Sequence, residues 1–215
     1  IKANVIETID QNFINLEFIV EEADKFYIER INIFGNTVTA ESVIRNQLLL
    51  DEGDPFSDIL VNKSVNNIKS LNFFKKVNSK ISLNDNNMTK SIDIFVEEKP
   101  TGEIYASAGA GTSGASFGFG VKENNFLGNG IGLDSNFFVS TSEFKGKFSV
   151  TNPNFNNSDK SLYFSAQATE NDNYKTFGYK TNKTGFSVGT NFEYLNDFYL
   201  GLNNSNFYET IETNS

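Results

Sequence analysis

The sequence changes character within residues 97–132, which read EEKPTGEIYASAGAGTSGASFGFGVKENNFLGNGIG. Before Pro100, apolar residues are spaced as in a compact domain of mixed helices and strands. After Pro100, no segment has helical spacing, and segments that alternate apolar with small polar residues follow one another. Pro100 and Gly102 are typical of a domain boundary. The sequence therefore predicts an α+β part up to residue 99 and an all-β part from residue 100.

The first segment after this boundary predicts a strand with little side chain. One face would carry Ile104, Ala106, Ala108 and Ala110, and the other Tyr105, Ser107, Gly109 and Gly111. Small side chains make few contacts across a strand pair, so such a strand is held weakly by its neighbours. This segment therefore raises the question of why the first strand of a large sheet is held so weakly.

Composition excludes several kinds of chemistry. The 215 residues include no Cys and no His, which excludes thiolate sites, histidine bases and histidine–metal sites. The net charge of −9 disfavours binding to nucleic acid. Asp51, Glu52 and Asp54 lack the terminal Glu of a calcium loop. We therefore expect no enzyme activity, no cofactor, no metal site and no nucleic-acid partner.

A strand signature followed by two acidic residues occurs twice. Its copies are Ile14, Leu16, Phe18 and Val20 before Glu21–Glu22, and Ile92, Ile94 and Val96 before Glu97–Glu98. The spacing indicates a repeat of about 75 residues. We expect residues 1–24 to hold two short strands at the end of one copy, and residues 25–99 to be a whole copy. We also expect the sequence to be a piece of a longer protein at both ends.

The whole copy predicts the order strand, helix, helix, strand, strand. The strands are expected at Tyr27–Ile33, Lys75–Leu83 and Thr89–Val96, the first with Tyr27, Glu29, Ile31 and Ile33 on one face. Thr39 is expected to cap the first helix and Ser57 the second. The helical apolar positions are Val43, Ile44, Gln47 and Leu48, then Val61, Val65, Ile68 and Leu71. This order suits a three-stranded sheet covered on one face by two helices.

From Thr101 the pattern predicts about seven strands of about ten residues, each with an apolar face and a polar, Gly-rich face. The polar faces carry few charges and the strands are long, which favours an antiparallel membrane barrel over a soluble sandwich. Residues 171–182 are expected to form a long polar loop, and residues 195–197 a short turn.

Five segments, in this order along the chain, resemble segments of the BamA family of outer-membrane assembly proteins. They are Tyr27–Thr37, Leu71–Val77, Val96–Gly102, Asn124–Gly130 and Ser149–Phe155. The resemblance implies an α+β POTRA domain (polypeptide-transport-associated, β-α-α-β-β) followed by an antiparallel all-β transmembrane barrel, truncated to about seven strands. Residues 1–24 would end the penultimate POTRA domain, 25–99 would be the last one, and 100–215 the N-terminal part of the barrel.

The resemblance also implies a function. Such proteins fold and insert β-barrel proteins into the bacterial outer membrane, with their POTRA domains in the periplasm. The implied partners are unfolded outer-membrane protein clients, accessory outer-membrane lipoproteins and outer-membrane lipid. Two alternatives stay open: an outer-membrane translocation pore of the two-partner-secretion type, and a soluble periplasmic β-sandwich that acts as a scaffold or adhesion module.

Two sites follow from the resemblance. The first barrel strand would be a lateral gate whose free edge pairs with a client strand by β-augmentation. Its residues are Glu103, Ile104, Tyr105, Ala106, Ser107, Ala108, Gly109, Ala110 and Gly111. The plainer interpretation is that Gly and Ala fit a crowded barrel wall. Glu52 would contact a partner lipoprotein, where the plainer interpretation is a solvated turn carboxylate. We expect residues 103–111 to be unpaired on one side, and the lysines of Lys75–Leu83 to blunt an ordinary sheet edge.

Overall fold

The computed structural model describes residues 2–10, 13–21, 24–84, 88–111, 114–195 and 198–213. In these ranges the strands are β1 (Lys2–Asp10), β2 (Phe13–Glu21), β3 (Tyr27–Phe34), β4 (Phe74–Asn84), β5 (Thr89–Glu98), β6 (Gly102–Gly111), β7 (Gly114–Phe126), β8 (Ile131–Ser140), β9 (Glu143–Asn152), β10 (Lys160–Asn173), β11 (Tyr179–Leu195) and β12 (Phe198–Thr213). The helices are α1 (Glu41–Arg45), α2 (Asp58–Ser70) and α3 (Tyr174–Phe177), with a 3₁₀ turn at Phe155–Asn157. None of these helices is both long and apolar enough to cross a membrane.

The first two strands form an antiparallel pair of their own. Lys2 lies opposite Glu21 and Asp10 opposite Phe13. This confirms the two short strands expected within residues 1–24. Their interpretation as the end of a preceding domain stays a prediction.

The second sheet has the order β3-β5-β4. β3 runs parallel to β5, and β4 runs antiparallel to it. Side chains from all three strands, both helices and their connections form one hydrophobic core, made of Ile28, Ile31, Val43, Ile44, Leu50, Val61, Val65, Ile68, Phe73, Phe74, Val77, Ile92, Ile94 and Val96. Ser57 caps α2 as predicted, because its Oγ accepts a hydrogen bond from the Leu60 amide at 3.4 Å. The predicted order strand, helix, helix, strand, strand is confirmed.

Two details of this domain differ from the sequence predictions. Ile28 and Ile31, which strict alternation places on opposite faces, are both buried. The reason is an irregularity in the pairing with β5 between Ile28 and Arg30, which shifts the alternation by one residue. The first helix is also shorter than predicted, because α1 ends at Arg45 and its N-cap is Ala40 rather than Thr39.

The third sheet contains seven strands in sequence order, from β12 to β6, with every neighbouring pair antiparallel. A sandwich needs two sheets packed face to face, so the sandwich alternative is wrong. Among the described residues the sheet is not closed, and β6 and β12 are its two edges. The predicted fold class, a β-α-α-β-β domain followed by seven antiparallel strands of barrel type, is confirmed.

The apolar face of this sheet is not covered by any other described part of the chain. Register aligns its large side chains in cross-strand rows such as Phe117–Val139–Phe144 and Val150–Phe164–Val188. Five of these six side chains are 39% to 55% exposed and Val150 is partly buried, whereas the buried hydrophobic residues of the described ranges lie between Ile28 and Val96. A sheet with an exposed band of Phe, Val and Leu needs a covering medium or partner.

The prediction of a long loop over residues 171–182 is wrong. β10 continues to Asn173, β11 begins at Tyr179, and α3 fills the short connection. The pairs Glu170–Asn182 and Asn171–Thr181 extend the ladder with polar residues. Composition therefore misidentified polar strand ends as loop. The predicted turn at residues 195–197 lies mostly outside the described residues.

Candidate functional site at the edge strand and the domain junction

The edge strand β6 places the predicted pairing site at one side of the sheet. Its ten residues pair with β7 alone among the described strands, from Gly102 opposite Glu123 to Gly111 opposite Gly114. Every residue of β6 is exposed. Among the described strands, the backbone N–H and C=O groups of β6 that point away from β7 have no strand partner, and β-augmentation uses groups of this kind.

The contacts of β6 on the apolar face of the sheet are small. Ala106 lies opposite Phe119, and Ala108 opposite Phe117. Ile104 is the largest side chain of β6 on this face, and 75% of it is exposed. A neighbouring strand would gain little side-chain contact from this edge, so it would be held mainly by backbone hydrogen bonds.

A buried polar contact joins the first domain to the turn between β7 and β8. Asn125 Nδ2 donates to Thr39 Oγ1 at 2.9 Å, and Asn125 Oδ1 accepts from the Gly130 amide at 2.7 Å. The Ala40 amide donates to the Gly128 carbonyl at 2.8 Å. Thr39 and Asn125 are 3% and 6% exposed. Losing either partner would leave a buried polar group unsatisfied, so these bonds fix how the domain meets the sheet.

Gly128 makes this close approach possible. Its φ is +73°, and a Cβ there would overlap the carbonyl oxygen of Val38. An L-residue would therefore be strained and would also push the two domains apart. Gly130 follows with φ +67°, and a Cβ there would lie 3.1 Å from Val43 Cγ1.

One carboxylate holds the loop at residues 37–39, which contains Thr39, in place. Glu98, the last residue of β5, accepts hydrogen bonds from the amides of Thr37 at 3.0 Å, Val38 at 3.0 Å and Thr39 at 2.7 Å, and from Thr37 Oγ1 at 2.7 Å. Partial burial raises the pKa of Glu98, but these hydrogen bonds outweigh it and lower the pKa to about 2. The ionised Glu98 thus holds Thr39 where Asn125 meets it.

The linker between the two domains is held from the sheet side. Thr101 Oγ1 donates to Glu123 Oε1 at 2.5 Å. The Thr101 carbonyl accepts from the amide of Asn124 at 3.3 Å and from its Nδ2 at 3.1 Å. β6 therefore begins from an anchored residue. A cavity of about 440 Å³ lies beside this anchor, lined by Leu71–Phe73 of the first domain and by Glu103, Lys122 and Asp134 of the sheet, among others.

The structure gives Glu52 a role within its own domain. Its Oε1 accepts from the Ile31 amide at 3.0 Å, while Arg45 Nη2 donates to the Ile31 carbonyl at 2.9 Å. Arg45 Nη2 lies 3.8 Å from Glu52 Oε1. The two side chains satisfy the backbone of β3 on the side away from β5, which blunts that edge. The Glu52 side chain is nevertheless 46% exposed, so part of it faces solvent.

Sequence reasoning missed the junction. It assigned Thr39 as a helix cap, whereas the Thr39 hydroxyl accepts from Asn125, 86 positions away. That N-cap prediction is wrong because α1 begins at Glu41, with Ala40 as its N-cap and no side-chain capping hydrogen bond. The only available signal was the pair of Gly residues after Asn125, which indicated a tight turn but not a contact.

The comparisons with known proteins agree with this architecture. Residues 26–99 match the POTRA family model, described as a surface antigen variable number repeat. The outer membrane protein assembly factor BamA of Neorickettsia risticii is 35% identical over 117 residues, which are 54% of this chain and 16% of that protein. BamA of Neisseria meningitidis serogroup B is 25% identical over 175 residues, which are 79% of this chain and 22% of that protein.

Solved structures share the fold. The crystal structure of BamA from Haemophilus ducreyi lacking POTRA domains 1–3 covers 99% of this chain and 41% of that chain, with a TM-score of 0.72 and 23% identity. CdiB from Acinetobacter baumannii covers 97% of this chain and 42% of that chain, with a TM-score of 0.57 and 11% identity. The chain spans only 16% to 25% of the first curated relatives. The chain is BamA-like: a POTRA domain followed by seven antiparallel strands of a barrel-type sheet.

Proposed function

We propose that the protein folds and inserts β-barrel proteins into the bacterial outer membrane, with β6 as the edge template and lateral gate. The small side chains of β6 carry this proposal, because they leave a strand on its outer side to be held mainly by backbone hydrogen bonds. A client strand can pair with its backbone groups without reading any particular side chain, which suits a protein that serves many clients. Two relatives, 35% and 25% identical to this chain, are named outer membrane protein assembly factors.

The open apolar face supports a location in the outer membrane. A band of exposed Phe, Val and Leu on a barrel-type sheet is the surface that lipid covers. The POTRA domain would then lie in the periplasm, next to the β7–β8 turn. The clients would be unfolded outer-membrane proteins.

The proposed gate is tested by strengthening the side-chain contacts of β6. Ala106→Val and Ala108→Val together add β-branched contacts along β6, so we expect slower insertion of a barrel client into membranes that contain the full-length protein. Ala166→Val and Ala168→Val form the matched control, because they lie on the same face of β10, which has neighbours on both sides. Unchanged insertion with the β6 variants would refute the gate.

Glu52 is proposed to contact an accessory lipoprotein of the assembly complex. Glu52→Lys would also disturb the hydrogen bond to Ile31, so it cannot test the contact alone. Glu52→Gln keeps an acceptor for the Ile31 amide and removes only the charge. Loss of lipoprotein co-purification with Glu52→Gln supports an ionic contact, whereas full retention with both variants discards it.

The two-partner-secretion pore is the alternative function. A pore exports its substrate through the lumen and needs no opening at β6. The Ala106→Val and Ala108→Val variants separate the two, because export through a pore would continue at the parental rate.

A further inference from the structure

One side chain of β6 is large, although most residues of this strand are small. Tyr105 projects from the polar face and lies directly opposite Gly120 of β7. A Cβ at Gly120 would overlap the Tyr105 ring at Cζ, Oη and Cε2. The ring therefore lies over Gly120 and occupies the space that the side chain of any other residue at position 120 would fill. Gly120 is buried, although Tyr105 itself is 46% exposed.

The same arrangement recurs on this face. Tyr163 of β10 lies opposite Gly189 of β11, where a Cβ would overlap its ring. Phe207 of β12 lies opposite Gly185 of β11, where a Cβ would meet its ring. An aromatic ring that covers a cross-strand glycine shields the exposed backbone and fixes the pairing at that point. Three such pairs in one sheet indicate a device of the fold rather than a chance contact.

For β6 this device has a specific consequence. The other polar-face residues of β6 from position 103 to position 111 are Glu103, Ser107, Gly109 and Gly111, and the apolar face offers mainly alanines. Such a strand specifies its register poorly. The smallest slip that keeps the two faces is two residues. It would place the ring opposite Lys122, whose side chain is long, or opposite Gly118, where Phe138 Cδ2 of β8 lies 3.9 Å from an added Cβ.

We propose that Tyr105 is the positioning residue that fixes the register of β6 on β7 through Gly120. The free edge of β6 then presents its backbone groups at one height along the sheet. The value of this for client pairing rests on the proposed template function, but the register itself does not.

Disulfide trapping tests the register, since this chain contains no Cys. In the full-length protein in membranes, with any other cysteine replaced, the native register joins Ala108→Cys to Phe117→Cys. A two-residue slip joins Ala108→Cys to Phe119→Cys or to Ala115→Cys instead. Directly opposite Cα atoms are about 4.5–5.5 Å apart and diagonal ones about 7–8 Å, so disulfides form essentially only between opposite residues.

With Tyr105 present, we expect the native disulfide and only background levels of the slipped ones. Tyr105→Ala should raise the slipped disulfides several-fold, whereas Tyr105→Phe should leave them at background because the ring, not the hydroxyl, covers the glycine. Tyr163→Ala is the matched control and should not change the β6–β7 disulfides. Gly120→Ala should act like Tyr105→Ala, because its methyl group displaces the ring.

Heat-modifiable gel migration of each variant shows that the barrel still folds. If folded Tyr105→Ala keeps only the native disulfide, the proposal is overturned, whatever the insertion rate. If Tyr105→Ala slips and client insertion is unchanged, Tyr105 does set the register and it is the template function that fails.

Discussion

Glu98→Gln is the substitution with the clearest expected outcome. It removes the charge that three backbone amides and the Thr37 hydroxyl share. The pKa of Glu98 falls from 4.5 to about 2 in the folded protein. At about 1.4 kcal/mol per pH unit this corresponds to at most about 3 kcal/mol of stability at pH 7. Because the side chain is partly exposed, solvent screening reduces the expected value to about 2 kcal/mol.

The effect must depend on pH in a defined direction. A carboxyl group whose pKa is lowered on folding contributes its full stabilisation above its unfolded pKa, near 4.5, and loses it as the pH falls towards 2. The difference in unfolding free energy between the parent and Glu98→Gln should therefore be about 2 kcal/mol at pH 7 and should shrink steadily below pH 4.5.

Urea unfolding of residues 24–99, followed by circular dichroism, measures this difference, because the hydrophobic core lies entirely between Ile28 and Val96. Glu97→Gln is the matched control. Glu97 is ion-paired with Lys75 at 3.2 Å, but both side chains are largely exposed, so its loss should matter much less. A Glu98→Gln penalty that is absent at pH 7, or that is equal at pH 7 and pH 3, would refute the assigned role of the carboxylate.

Three further predictions concern the junction and the helix. Gly128→Ala should separate the two domains, because a residue with a Cβ is strained at a φ of +73° and its methyl group would overlap Val38. Distance distributions between spin labels placed on the two domains should therefore broaden. Gly53→Ala is the control and should not change these distributions, because Gly53 has a similar φ of +97° but open space around it. Asn125→Leu should weaken the same contact by about 1–3 kcal/mol, measured as earlier proteolytic release of the POTRA domain. Ser57→Ala should lower the stability of residues 24–99 by about 1 kcal/mol in urea unfolding, without any effect on the domain junction.

The sequence predicted the order of elements because apolar spacing is a local signal. The stripe Val61, Val65 and Ile68 is buried as its helical spacing requires. The burial of both Ile28 and Ile31 could not be predicted, since the irregularity that shifts them depends on pairing with β5, some 60 positions away. The prediction of a loop at the ends of β10 and β11 is wrong for a related reason. Asn is typical of turns, so Asn-rich strand ends have the composition of a loop, and only the cross-strand partner distinguishes the two.

The candidate site likewise has a part that the sequence predicts and a part that it does not. The thin edge strand was visible because small residues in alternation are themselves the feature. The junction was not visible, because Thr39 before Glu41 satisfies the ordinary pattern of a helix start. Its actual partner, Asn125, is a turn residue like many others in this Asn-rich chain. The sequence indicates only that Tyr105 belongs to the polar face of β6, because its place over Gly120 depends on the pairing register of β6 and β7.

These contacts determine on which of its two sides β6 can separate from a neighbouring strand. Three residues connect Glu98 to Gly102, so the two positions can be at most about 14 Å apart when the linker is fully extended. Thr101 is bonded to Glu123 and Asn124, and Asn125 is bonded to the POTRA domain through Thr39. Any rotation of the POTRA domain that keeps these bonds therefore carries the start of β6 and the β7–β8 turn together. Opening between β6 and β7 would break this network, whereas opening at the other side of β6 would break none of it. The proposed gate is for this reason confined to the outer edge of β6.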